Sequence, residues 1–456
     1  MTALGGVIGF VGDVIGIGGA IAETFFPEQS SVDFNVFRVH VGQSSDARDP
    51  NSLAGHAPAL AGWNVVGGFM SQVTPDGVST PKIAAGGFRD YAIEGRQAID
   101  YLSVVQNGNN GICIHLITGQ STNNGRKFAW NGDLGKACGA PWYPQQNPIT
   151  NVAETGTEFF PACVWIDGNG DSGHNFKGFN LHLGSFGGTQ DPESNNITAN
   201  AWLKNMDLLC KSEPRFSLYE DIKIGMQIAI FKDSPTTQVP GTPEYDDLVL
   251  NRNNWEYSEP PPPGELPQRL SGKTLVPSYI CFDGDCPPKG GSFDMDLGIQ
   301  KSTRRNVRRQ VNKRVELHRR DRMIAALKKR QIIHADRLVI SNIAQHSAIE
   351  LCNSISSLGP DFVSIPEGMF CDMSEKRLWP VCADSSSPYC FDIASQTVRG
   401  SGVTAPVTSP SPFINATDSK DGVASKISVA IEVDDDGDTW EIPAKSYSQV
   451  STWELP

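Results

Sequence analysis

Cys163-Val-Trp165-Ile166-Asp167-Gly-Asn169-Gly-Asp171-Ser-Gly-His174-Asn-Phe-Lys-Gly-Phe179-Asn-Leu181-His182-Leu183-Gly-Ser-Phe186 is apolar on both flanks and polar in the middle. Cys163, Trp165 and Ile166 lead in, and Phe179, Leu181 and Leu183 lead out at a period of two. Period-two apolar spacing marks a half-buried strand. The centre, Asp167 to Gly173, is made of residues that favour turns. The stretch reads as strand, hairpin turn, strand, within a β-rich domain.

Neighbouring segments extend this pattern. Ile112 to Thr118 reads as a strand, Lys127 to Asp133 as a strand-turn unit, and Tyr91 to Gln106 as a helix through Ile93, Ala98, Ile99, Leu102 and Val105. Glu220 to Phe231 alternates Ile222, Ile224, Met226, Ile228 and Ile230 with other residues and reads as a long strand. The run Glu259-Pro-Pro-Pro-Pro-Gly-Glu-Leu-Pro267 is a stiff linker, and Leu275 to Phe282 a return strand. Ser341 to Ser354 reads as a helix, residues 401–422 as exposed linker, and Ile427 to Val433 as a last strand. The expected fold class is α+β: a β-rich, sandwich-like first domain, a basic helical segment and a disulfide-tied C-terminal part. The expected boundaries are an apolar Gly-rich segment at 1–30, the β-rich domain at 31–258 and linker with return strand at 259–300. A basic helical hairpin at 301–358 and a Cys-rich region at 359–456 follow.

The chain has 456 residues, 45 Gly, 31 Pro and a net charge of -13, as expected of a turn-rich globular protein. Its charge is uneven. Residues 301–337 hold 14 Lys/Arg against Glu316, Asp321 and Asp336, a local +11 that leaves -24 elsewhere. The basic segment carries dibasic pairs, Lys313-Arg314 and Lys329-Arg330 among them, which are candidate processing sites in an exported protein. A solvated helix paired with the acidic remainder, or one touching anionic membrane, are the alternatives. An acidic chain without interleaved aromatics disfavours nucleic acid as a partner.

Ten cysteines, Cys113, Cys138, Cys163, Cys210, Cys281, Cys286, Cys352, Cys371, Cys382 and Cys390, suit up to five disulfides and an oxidising compartment. Their pairing is not fixed by spacing. Asn196 and Asn415 head glycosylation sequons. Residues 3–22 are apolar but lack an early basic residue and contain Asp13. They read as an atypical signal peptide, a membrane- or self-associating element, or a buried segment.

Three pieces have a familiar look together: Trp130-Asn-Gly-Asp-Leu-Gly-Lys-Ala-Cys138-Gly-Ala-Pro-Trp-Tyr143; Pro161 to Asp167 with Gly178 to Phe186; and Gly359 to Met373, preceded by His346 to Cys352. Across residues 90–395 the chain resembles an uncharacterised family of secreted, cysteine-containing proteins of filamentous ascomycete fungi. The resemblance implies fungal origin and a secretory setting, and brings no catalytic residue with it.

Asp167, Asn169 and Asp171 match the start of a calcium loop, since hard oxygen ligands sit on alternate positions. Ser172 at the sixth position and Gly178 at the twelfth break that pattern, which favours a self-capping Asx turn. Gly170-Asp-Ser-Gly173 spells a protease tetrapeptide but has no companion histidine motif. His40, His174 and His182 could converge as a metal or acid-base group, though without ligand spacing. No motif calls for a cofactor. The expected function is non-enzymatic, effector- or toxin-like binding of a protein, glycan or membrane surface after secretion. An extracellular hydrolase or carbohydrate-active protein is the alternative.

Overall fold

The computed structural model of the protein describes residues 25–28, 34–44, 53–75, 81–121, 126–259 and 334–454, with breaks of which 188–197 and 411–430 are the longest. The expectations for the N-terminal apolar run, the Pro-rich run from 260, the return strand and the basic segment 302–333 lie outside the described residues. So do those for Cys281, Cys286, Asp171, Asn196, Asn415, Lys313, Arg314, Lys329 and Arg330. The chain divides into two compact units. In described residues the larger holds 25–259 with Ser356–Leu358, and the smaller holds 334–355 with 359–454.

The principal strands of the larger unit are, in chain order, β1 (Phe34–Val41), β2 (Ala59–Trp63), β3 (Phe69–Val73), β4 (Phe88–Glu94), β5 (Tyr101–Val105), β6 (Ile112–Gln120) and β7 (Lys127–Asn131). They continue with β8 (Trp142–Tyr143), β9 (Cys163–Ile166), β10 (Gly178–His182), β11 (Phe216–Tyr219), β12 (Ala229–Phe231) and β13 (Trp255–Tyr257). One antiparallel sheet runs β8-β9-β6-β1-β4, with β7 also paired to β6. A second antiparallel sheet runs β11-β10-β5-β2-β3. Apolar residues of both sheets share one core. Trp130 of the first stacks on Phe179 of the second at 4.9 Å. Burying a side chain of the size of Phe179 contributes about 2 kcal/mol.

A short helix, α1 (Gly132–Ala137), follows β7. The Asn131 side chain caps it by accepting from the Asp133 N–H, and Asp133 Oδ1 accepts from Ala162 N–H at 3.1 Å. A Cβ on Gly132 would lie 1.9 Å from the Ala162 carbonyl oxygen, so only glycine allows this close approach. Two further helices are α2 (Asp207–Cys210) and α3 (Pro243–Leu250). Cys113–Cys163 ties β6 to β9, and Cys138–Cys210 ties the end of α1 to α2.

In the smaller unit the elements are β14 (Arg337–Ser341), α4 (Ala348–Asn353), β15 (Asp361–Ser364), β16 (Met369–Asp372), β17 (Arg377–Pro380) and, near the C-terminus, Gln449–Trp453. They form a mixed sheet in which β14 runs parallel to both β15 and Gln449–Trp453, and β15, β16 and β17 are antiparallel. Leu338, Val363, Phe370, Trp379, Phe391 and Val398 form its core. Cys352–Cys371 fastens α4 to β16, and Cys382–Cys390 closes a small loop. All eight described cysteines are thus paired. No helix among the described residues is long and apolar enough to cross a membrane. The fold is the β-rich, disulfide-tied α+β class expected from the sequence.

Several local expectations are corrected. Cys163–Ile166 and Gly178–His182 are strands, but not a hairpin: β9 pairs with β6 and β8, and β10 with β5 and β11. The polar turn carries the chain from one sheet to the other. Tyr91 to Gln106 is not a helix but the end of β4 and all of β5. Apolar residues three and four apart there belong to two separate period-two runs, broken at Gly95-Arg96-Gln97. Within 220–231 only Ala229–Phe231 is a strand. Ile222, Met226 and Ile228 are buried without ladder partners, because Gly225 at φ 77° turns the chain. In the described part of 301–358, expected as a helical hairpin, Arg337–Ser341 is a strand and the helix is short. Two strands, Thr404–Pro406 and Thr408–Pro410, occur where linker was expected.

Candidate functional site

His40, His174 and His182 have three different surroundings. His40 contacts the Phe25 carbonyl oxygen through Nε2 at 3.0 Å, and its ring lies 5.8 Å from that of His115. Burial, reinforced by Arg38 against the pull of Phe25 and Asp90, pushes the His40 ring down to about 4. Burial also holds His115 well below the usual histidine range. His174 stacks on Trp165 at 4.3 Å. Asp167 is buried, and its Oδ1 accepts from Asn169 N–H at 3.3 Å, an Asx turn. Among the described residues no three His, Cys, Asp or Glu side chains are placed to hold a metal ion.

His182 stands in a linked set of polar groups in the larger unit, with Asp100, Ser185 and Arg215. It closes β10, Asp100 immediately precedes β5, and Arg215 immediately precedes β11. Because β5, β10 and β11 are neighbours, three strand ends meet here. The register His182↔Tyr101 and the bond from Leu183 N–H to the Asp100 carbonyl at 2.7 Å fix this alignment. Ser185 follows in the 3-10 turn Leu183–Phe186.

His182 Nε2 lies 3.1 Å from Asp100 Oδ2, and Nδ1 lies 2.7 Å from Ser185 Oγ. In the neutral ring the carboxylate must accept from Nε2–H, so Nδ1 accepts from the Ser185 hydroxyl. Arg215 Nε donates to the same oxygen at 3.2 Å. Burial pushes the Asp100 carboxyl up, but the charge and hydrogen bond of His182, with Arg126 beyond, outweigh it and leave it below its ordinary value. Tyr101 at 4.8 Å and Phe231 at 5.3 Å enclose the His182 ring, whose side chain is 1% exposed. Arg215 is fully buried, and it also donates to the Tyr245 hydroxyl at 2.6 Å and to the Leu208 carbonyl.

A shallow cleft opens on the Asp100 side of this relay. Phe37 and Phe128 line it with Asp100, Arg126, Lys127 and Gly184. The arrangement combines apolar walls with two cations and one partly exposed carboxylate. Of these groups the sequence singled out His182 alone. Asp100, Ser185 and Arg215 carry no motif, and only the strand order brings them together.

No family model matches the chain, and a search of curated proteins finds no similar sequence. Among solved structures, crystal structures of LOX variants carrying a Delta413-417:GS change share short stretches with it. One is 13% identical over 21% of this chain and 14% of its own, with a TM-score of 0.16. Another is 11% identical over 22% and 14%, also at 0.16. The chain thus matches about a seventh of their length, and so low a score carries no argument about fold or function.

Proposed function

We propose that the protein is a secreted fungal protein that acts by binding, in the manner of an effector or toxin, and that the cleft beside Asp100 takes an acidic oligosaccharide. The observation that carries this reading is the pairing of an open, cation-bearing cleft with an enclosed relay behind it. Arg126 and Lys127 carry donors suited to carboxylate or sulfate groups, and the buried rings of Phe37 and Phe128 form the apolar floor beneath them. His182, Arg215 and Ser185 serve internal bonds that keep these walls in place. Four disulfides among the described residues suit an oxidising compartment. Calorimetric titration with uronic-acid and sulfated oligosaccharides tests the reading. Binding that weakens at least tenfold in Arg126→Ala supports it, and equal affinity in both proteins overturns it.

One observation favours a second reading, an extracellular hydrolase: the continuous chain of hydrogen bonds Asp100–His182–Ser185. Histidine can serve as base to a serine hydroxyl when a carboxylate orients it. Labelling of Ser185 by a fluorophosphonate probe, absent in Ser185→Ala, would establish this reading over the first.

A further inference from the structure

The smaller unit buries two carboxylates against one amine. Asp361 opens β15 and Asp372 closes β16. The antiparallel register Phe362↔Cys371 sets these two aspartates opposite each other, so their side chains leave the same face of the sheet. Both are buried, at 2% and 0% exposure. The amine of Lys445, its side chain 8% exposed, reaches both: Nζ lies 3.0 Å from Asp361 Oδ2 and 2.7 Å from Asp372 Oδ1.

The two oxygens of Asp372 are treated differently. Oδ1 accepts from Lys445 Nζ, from Ser374 N–H at 3.0 Å, from the Ser374 hydroxyl at 2.7 Å and from Glu375 N–H at 3.1 Å. Oδ2 is buried without any hydrogen-bond partner. A buried carboxylate oxygen with no donor is costly and calls for a reason. Asp361, by contrast, is bonded at both oxygens: Met373 N–H donates to Oδ1 and the Tyr447 hydroxyl to Oδ2, each at 2.7 Å.

We propose that Lys445 and Asp372 condense into an intramolecular amide, with Asp361 carrying the protons. The nitrogen lone pair of Lys445 forms a bond to Asp372 Cγ. Negative charge gathers on Oδ1, where the Ser374 and Glu375 donors already point, as in an oxyanion hole. The Cγ–Oδ2 bond breaks, and the unpartnered oxygen leaves as water. The ammonium gives up two protons on the way to the amide, and the departing oxygen takes two, so the step balances with no oxidant or co-reactant. Asp361 relays them.

Burial, then the neighbouring Asp372 charge, raises the Asp361 carboxyl to about 6, which suits a group that gains and loses a proton near neutrality. Lys445 is held as an ammonium in the resting state. Burial works against its charge, but the two carboxylates more than offset that, so proton transfer to Asp361 must come first. Lys376, the second buried amine of this region, donates to the Leu351 carbonyl at 3.3 Å. Fixing the reacting groups in contact supplies an effective concentration of roughly 10⁵ M or more. Condensation also removes one buried ion pair, whose desolvation opposes folding.

The test is the intact mass of the full-length protein after reduction and denaturation, with proteolytic mapping of joined peptides. The mass should be lower than the sequence mass by one water, and the peptide holding Lys445 should be joined to the one holding Asp372. An unaltered mass overturns the proposal, as does a bond from Lys445 to any other residue. Lys445→Arg and Asp372→Ala should each restore the full mass. Asp361→Asn keeps the size of the side chain and one of its two acceptor oxygens but cannot take up and release a proton. Loss of the link in that variant, with the Cys352–Cys371 disulfide intact as a sign of folding, supports the relay. A link formed as fast as in the unaltered protein overturns it.

Discussion

Ser185 Oγ lies 2.7 Å from His182 Nδ1, and Arg215 Nε reaches the same oxygen at 3.2 Å. Arg215 thereby holds a serine, a backbone carbonyl and a tyrosine hydroxyl at once, in a fully buried place. Arg215→Met should leave three acceptors without donors and cost about 3 kcal/mol or more. Arg215→Lys should recover little, because an ammonium cannot reproduce the planar fork. Chemical denaturation of both variants checks this, and a loss below about 1 kcal/mol would contradict it.

Acid should weaken the larger unit through His40. Its folded-state value of about 4 lies below its ordinary 6.5, so the fold prefers the neutral ring. The unfolded chain takes up the proton first, and stability is lost as pH falls from 6.5 to about 4. The loss from this group is on the order of 3 kcal/mol. His40→Gln does not titrate, and its amide can still donate to Phe25 O. Its melting temperature should vary less across that window than the unaltered protein's.

Lys376 behaves in the opposite compartment of the pH scale. Burial, against the attraction of Asp361 and Asp372, lowers its amine from 10.5 to about 7. Its stabilising contribution is full above 10.5 and is lost as pH falls toward 7. Lys376→Met should therefore raise the melting temperature of the smaller unit near pH 7, with the gain fading toward pH 10.5. A gain that is constant with pH would point to packing instead.

The disulfides should differ in worth. Cys113–Cys163 closes a loop of 50 residues and Cys382–Cys390 one of 8. Chain entropy assigns roughly 4 kcal/mol to the first and roughly 2.5 kcal/mol to the second. Paired Cys→Ser variants, compared by denaturant midpoints, should preserve that order.

Much of the fold was legible in the chain. Strands at Ile112, Lys127, Cys163 and Gly178 announce themselves by alternation, since a side chain on a strand faces one side or the other by parity alone. The errors share a cause. Tyr91 to Gln106 mimics a helix because two alternating runs, read across the break at Gly95, leave apolar residues at spacings of three and four. Glu220 to Phe231 alternates apolar with other residues, yet only Ala229–Phe231 is in a ladder, because period two reports a residue pattern and not whether the backbone has a partner.

By itself, the sequence determined what depends on local spacing and residue type: a β-rich class, turns at Gly and Asx positions, and cysteines suited to pairing. The tertiary structure decided everything that depends on which strands become neighbours. It sent Cys163–Ile166 and Gly178–His182 to opposite sheets, matched Cys113 with Cys163, and aligned three strand ends to bring Asp100 and Arg215 to His182. Asp361 and Lys445 stand 84 positions apart in the chain, yet their side chains touch at 3.0 Å. Contacts of that separation follow from global packing, where the gain from a shared core outweighs the entropy of closing long loops, and no local pattern records them.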